Sequence, residues 1–449
     1  KTNDVDLSRS SATFDVNVSG YATAVSDIAK VTLTEGGNET VVPADGYSFD
    51  AGTVAIGMSA IGERNFGKEF TAKVYIEKYT NEVLSSITVV SAPFNTVSMV
   101  IRTADELNNM LAVADSLKDD TEKHGESGFS DGIEYWAALD GYFVLGNDID
   151  FLEGDATRVY RPLENICATV IKKDRAFSGV FDGRGFNIDN FVLGVNPNAA
   201  KVAKGSGLFP YNGGVVKNVS FTNCINNTPN GVISSMLDGT IENVFIHLKE
   251  MKNPYADGNW TQKGGAINSR FSSVASRVVN CMVVVEQFSG PHLIGGISDY
   301  NENNIKNVYG IGAKTGMYDH HGAASAYGYE NYALGTYKTF GDFTGEVTVN
   351  ADEWSADFWT TKNGIPWPKN VDVISLNSSL ISDGTISATS PVTVNSSIYG
   401  IVTVEGKATV TDNVVTLATD ASVGDTITVT ITNALAPEDK ISATFTVVE

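Results

Sequence analysis

Four aspartates, Asp148 and Asp150 in "GNDID" and Asp182 and Asp189 in "FDGRGFNID", are residues that could supply the paired carboxylates of glycosidic bond cleavage. That chemistry needs two carboxyl groups facing each other across a cleft at roughly 5–9.5 Å, one to protonate the leaving oxygen and one to attack or to activate water. Asp182 and Asp189 lie 7 positions apart across a turn, and Asp182-Gly183 is an ordinary turn pair. Asp148 and Asp150 fall on one face of a short strand and read as strand and turn residues. The G-x-G of "DGRG" follows a strand but precedes no helix pattern, so it fails the context test for a dinucleotide or phosphate loop. His320 and His321 adjoin Asp319, yet adjacent side chains on an extended segment point oppositely and do not share one metal. Cys167, Cys224 and Cys281 match no zinc or CxxC spacing and read as buried small hydrophobes. We therefore assign no catalytic residue, no metal and no cofactor.

Binding chemistry is better represented. The stretch "MYDHHGAASAYGYENYALGTYKTFG" sets Tyr318, Tyr327 and Tyr329, with His320, among glycines and alanines, and "EMKNPYADGNWTQKG" adds Tyr255 and Trp260. Rings on small-residue loops suit recognition, and flat rings stack on sugar faces. The other reading is that these rings plug the last repeat or pack on a neighbouring domain.

Something must hold those loops. The chain has 449 residues, too many for one ordinary core, and 19% of them are charged, with abundant Gly, Ser, Thr and Asn, which favours turn-rich β folds. A formal charge of −22 tells against nucleic acid or an anionic membrane as the main partner. No apolar run approaches the ~18 residues of a membrane span. The sequence opens at Lys1 without an initiator Met or leader, which points to a processed or trimmed chain whose export signal or lipid anchor has been removed.

Residues 1–98 read as a β-sandwich of Ig-like type: "SATFDVNVSG", "IAKVTLTEGG", "GTVAIGMSAIG", "FTAKVYIEKYT" and "VLSSITVVSAP" alternate with period two, and Pro93 ends the series. "RTADELNNMLAVADSLKDD" carries the one clear helix signal, with Thr103 as N-cap, Glu106 three residues later and Leu107, Met110, Leu111, Ala114 and Leu117 on one face. Residues 371–449 return to short strands and read as a second sandwich, joined through "NGIPWPKN".

Between them the pattern [Ile/Val]-x-Asn-[Val/Phe/Cys] recurs, placing Asn190, Asn218, Asn243, Asn280 and Asn307 at intervals of 28, 25, 37 and 27 residues. Such intervals mark a solenoid, and short strands with Gly/Asn turns favour a parallel β-helix over residues 99–370. Stacking in register sets like residues above like. The five asparagines are expected to form a ladder at a turn that needs the left-handed conformation. The 103–118 helix is placed to cap one end of the stack and the Trp-rich "EWSADFWTTKNGIPWPK", or the C-terminal sandwich, the other. Asn218-Val219-Ser220 has the form of a glycan sequon, but Asn218 belongs to the expected ladder.

"YFVLGNDIDF", "FSGVFDGRGFNIDNF" and "GLFPYNGGVVKNVSF" follow one another in a way that resembles bacterial surface proteins with GLUG-type β-helix repeats, and the tail is similar to bacterial Ig-like modules. The resemblance covers roughly residues 99 to 370; from residue 231 on the repeats lose the Leu-Phe of the G-L-F motif. It implies a right-handed, helix-capped parallel β-helix in an exported protein, of a kind common in gut Bacteroidetes and described as adhesins. The expectation is an all-β, monomeric, secreted or surface-anchored protein that binds a glycan or a host surface protein without catalysing a reaction. The alternatives are a polysaccharide-cleaving lyase or glycosidase on the same fold, and a structural stalk subunit.

Overall fold

The computed structural model describes residues 4–8, 12–62, 66–110, 140–160, 176–194, 207–228, 230–251, 265–271, 273–286, 292–294, 304–312, 336–337, 354–376, 381–396, 399–411 and 413–449. The protein is all-β with parallel sheets. It divides into two compact units, residues 1–147 with 177–182, and residues 148–176 with 183–449. No helix among the described residues is long and apolar enough to cross a membrane.

In the first unit, two sheets enclose one apolar core. Thr13–Asn17, Thr53–Gly57 and Tyr47–Asp50 form one sheet, and Asp4–Asp6, Val83–Val97, Glu69–Thr80, Ile28–Glu35 and Asn38–Val42 form the other. Alternation explains the packing: Phe14 and Val16, Val54 and Ile56, Val31 and Leu33, and Val74 and Ile76 all point into the shared core. Two expectations are corrected. "GTVAIGMSAIG" is not one strand, because the turn Met58–Ile61 is helical and closes at Gly62 with φ +89°. Pro93 does not end the series, because it lies inside the strand Val83–Val97. An edge position, where no ladder N–H is needed, tolerates it.

The same unit holds three further strands, Met99–Ile101, Tyr142–Leu145 and Val180–Asp182, stacked in parallel with Phe143 beside both Met99 and Phe181. The helix Ala104–Asn109 begins as its sequence dictates. Thr103 Oγ1 accepts from Glu106 N at 3.1 Å, whereas the Glu106 carboxylate accepts from Arg102 N at 2.7 Å, one residue earlier than the usual reciprocal bond. Leu107 and Met110 are buried. Leu111, Ala114 and Leu117 lie outside the described residues.

The second unit is built on parallel stacking. Val215–Asn226, Thr240–Met251, Arg277–Val285 and Ile305–Gly312 pair successively in parallel, and Phe209–Asn212, Ser234–Leu237, Gly265–Phe271 and His292–Ile294 do so in a second sheet. Each repeat thus gives one strand to each sheet. The register puts Val216, Ile241, Val278 and Ile305 in one column and Val219, Val244, Cys281 and Val308 in another. Most of these side chains are fully buried, each stabilising the fold by about 1.5–3 kcal/mol.

Beside this stack, Trp359–Lys362 and Ile365–Pro368 form a hairpin. Its two-residue turn is Asn363-Gly364, with φ of +50° and +81°, the pair that a type I′ turn demands. Pro366 and Pro368, in the segment expected to join the domains, are strand residues of this hairpin, where an outer edge unpaired among the described residues accommodates them. The final segment forms two more sheets, Gly384–Ile386, Lys440–Val447, Thr426–Asn433 and Gly400–Glu405 in one, and Val392–Thr393, Val414–Leu417 and Ala408–Thr411 in the other. Their apolar residues are continuous with the hairpin tryptophans.

Candidate functional site

The residues that recur in the sequence are brought together at one corner of the stack. Asn243 Nδ2 donates to Asn218 Oδ1 at 3.0 Å, Asn280 Nδ2 to Asn243 Oδ1 at 3.4 Å, and Asn307 Nδ2 to Asn280 Oδ1 at 3.0 Å. All four sit at φ between +52° and +54°. Asparagine tolerates that left-handed backbone, and its amide then runs along the stack with one donor and one acceptor per level.

Asn190 does not stand in this column. Asp189 is in register with Thr222, and Asn190 N donates to Thr222 O, so Asn190 is level with Asn223, at a second left-handed corner. The place beside Asn218 belongs to Arg184, at φ +53°, flanked by bonds from Gly183 N to Lys217 O and from Gly185 N to Asn218 O. The motif misleads because an apolar-x-Asn sequence marks any corner that follows an inward side chain, and the levels of Arg184 and Asn218 each have two such left-handed corners.

That second corner carries the acidic residues. Asp150 and Asp189 are register neighbours, and Asn190 Nδ2 bridges their carboxylates at 3.0 and 3.1 Å. Asp189 also accepts from Thr222 Oγ1 at 2.6 Å and Asn223 Nδ2 at 2.8 Å, and Asp150 from Leu152 N at 3.1 Å. Asn187 extends the network, its Nδ2 reaching Thr222 Oγ1 at 2.7 Å and its backbone N reaching Asp148 Oδ1 at 2.8 Å. Asp182 is buried in the other unit.

The network ends on a histidine that sequence reading passed over. His247, almost fully buried, accepts at Nδ1 from Asn223 N at 3.3 Å, which leaves the proton on Nε2, and Nε2 lies 2.7 Å from Glu286 Oε1. Its only sequence signal is a lone polar ring inside the apolar run "VFIHL".

Chemically, this arrangement ties levels together. Two carboxylates joined through one amide are held in bonds between levels. The described thiols do not act as nucleophiles: Cys224 and Cys281 are free and buried, and burial pushes both upward, Cys281 to about 12. Among the described residues no group of His, Cys, Asp and Glu is arranged to hold a metal ion.

The tryptophan hairpin touches the corner of the asparagine ladder. Trp359 Nε1 donates to Asn243 Oδ1 at 3.1 Å, Trp367 meets Phe245 with ring centres 4.7 Å apart, and Asn370 Nδ2 donates to Gly185 O at 2.8 Å. The hairpin therefore lies along several levels of the stack, where the sequence suggested a lid over its last one. The outward Phe245, Met282 and Ile311 offered it an apolar strip. The aromatic loop residues Tyr255, Trp260, Tyr318, His320, Tyr327 and Tyr329 lie outside the described residues, as does Cys167.

No family model, curated protein or solved structure matches this chain.

Proposed function

We propose that this chain is a secreted or surface-displayed parallel β-helix, flanked by Ig-like modules, that binds a glycan or a host surface protein through the loops interrupting its repeat and catalyses no reaction of its own. The observation that carries the reading is the use made of the acidic side chains. Asp150 and Asp189, two of the four aspartates weighed for glycosidic bond cleavage, are taken up by Asn190, Thr222 and Asn223 in bonds between levels. The scaffold gives rigidity, and variable loops on rigid elements are the usual place for recognition. Residues 252–264 and 313–335 carry the Tyr and Trp rings suited to stacking on sugars.

A glycan array and a host-protein screen, run on the full chain and on chains lacking 252–264 or 313–335, test this directly. Binding that disappears with the loops supports the proposal. Binding that survives both deletions overturns the loop assignment, and new reducing ends or unsaturated products from pectin or alginate overturn the non-catalytic reading.

A further inference from the structure

Outside the stack, the strands of the described residues pair antiparallel with two exceptions. Asp4–Asp6 runs parallel to the end of Val83–Val97, with Asp4 beside Asn95 and Asp6 beside Val97. Gly384–Ile386 runs parallel to the end of Lys440–Val447, with Gly384 beside Phe445 and Ile386 beside Val447. Each exception joins the first strand of its module to the last. A parallel pair is slightly less stable per residue than an antiparallel one, and no short turn can close it. Ladder energy alone therefore gives no reason for it to recur at this one place.

Side chains reinforce both pairs. Asp6 Oδ2 accepts from Val100 N at 3.2 Å, beyond the last paired residue of Val83–Val97, and stands 3.6 Å from Arg102 Nη1. Leu7 N carries the ladder on to Val97 O at 2.9 Å. In the other module, Asp383 Oδ1 accepts from Thr444 N at 2.6 Å, and Val448 N donates to Ile386 O at 2.9 Å. An aspartate on the first segment thus adds a bond to the last one in both. Val5, Val97, Ile386 and Val447, all buried, fix the two pairs to their cores.

Direction decides what tension does to such a pair. Drawing the chain out pulls the first strand backward and the last strand forward along a common axis. Ladder bonds cross from strand to strand, so here they are sheared and must fail together. In an antiparallel pair gripped at one end they are peeled and fail one after another. We infer that both sandwich modules serve to carry tension: pulling along the chain meets each as a shear clamp, and the module holds until the clamp ruptures as a unit. Resistance to force is set by the barrier to rupture and not by equilibrium stability, so a short clamp can govern it. This function is independent of what the loops bind.

Optical-trap unfolding of the full chain tests it, with handles on introduced cysteines in a Cys167→Ser background, where Cys224 and Cys281 are buried. Ser382→Cys with Glu449→Cys loads the C-terminal clamp in shear. Val423→Cys with Glu449→Cys grips the antiparallel strands Thr426–Asn433 and Lys440–Val447 at the end where Thr426 lies beside Thr446, and peels them. At one loading rate the rupture force should be about twofold or more higher in shear. Val448→Pro, which removes the N–H given to Ile386, should lower the shear force and leave the peeling force unchanged. In the first module, Lys1→Cys with Asp105→Cys should likewise exceed Lys68→Cys with Asp105→Cys, which grips Glu69–Thr80 and Val83–Val97 where Glu69 lies beside Asn95. Equal forces for the two attachments in either module, or a Val448→Pro chain as strong in shear as its parent, overturn the inference.

Discussion

The indole N–H of Trp359 donates to the side-chain oxygen of Asn243 at 3.1 Å, across 116 positions of sequence. The same oxygen accepts from Asn280 Nδ2, so one amide joins two levels of the stack to the hairpin beside it. Truncating it affects all three partners. Asn243→Ala should cost about 2–4 kcal/mol, combining lost buried hydrogen bonds with a left-handed backbone that alanine adopts poorly. Asn243→Gly, which relieves the backbone, should recover part of this. Urea titration followed by tryptophan fluorescence measures both, and equal losses would deny the backbone its share.

Trp359→Phe keeps an aromatic ring against Trp354 and Phe358 and removes only the N–H donor. A loss of about 1 kcal/mol is expected, the usual net value of one hydrogen bond. Trp367→Ala, which strips the cover from Phe245, should cost about 3–5 kcal/mol. Comparable losses from the two variants would mean that packing at Trp367 has been overstated.

Gly239 is required for close approach. A Cβ there would meet the backbone of Gly213 and Gly214 in the preceding level. Since backbone cannot turn away as a side chain can, Gly239→Ala should destabilise by about 3 kcal/mol. Gly424→Ala meets no neighbour within 4 Å, and its cost should be that of its φ of +91° alone. Thermal melts of the two variants compare these terms.

The buried thiols give the protein a definite alkaline response. Burial raises Cys281 from the ordinary 9.0 to about 12, and raises Cys224 too. Between pH 9.0 and about 12 the unfolded chain therefore releases thiol protons that the native chain retains. Stability is fully present below the ordinary value and falls as pH rises, by about 1.4 kcal/mol per pH unit per thiol. Cys281→Val should flatten this slope relative to the parent chain in denaturant titrations across that range. In a Cys167→Ser background, a thiol reagent should leave the native protein unlabelled and modify two cysteines once it is unfolded.

Asp189→Asn distinguishes the two uses of the acidic corner. It retains an acceptor for Thr222 but sets a second amide against Asn190 and Asn223, so a loss of about 1–2 kcal/mol is expected. Glycan binding, assigned to the loops, should not change. A variant of unaltered stability that no longer binds would move recognition to this corner.

Much of the architecture is legible in the residue pattern. Apolar-x-Asn corners fix the spacing of repeats, and Thr103 with Glu106 fixes the start of the helix, because these signals act within a few residues. Asn190 shows where local reading stops. Its motif is right and its column wrong, since register depends on which outward and inward residues stack, a property of two levels together. The Trp359 to Asn243 bond and the His247 to Glu286 pair join residues whose separation encodes no period. Pro93 misled for a related reason, because a proline ends a strand only if its missing N–H would have had a partner.

Asn243 and Asn280 are 37 residues apart and Asn218 and Asn243 are 25 apart, yet each interval climbs one level of the same amide column. Length in this fold is thus uncoupled from height. An insertion between corners changes what a level displays without shifting the levels above and below, so the scaffold can carry new surface loops at fixed pitch and evolve its contacts one storey at a time.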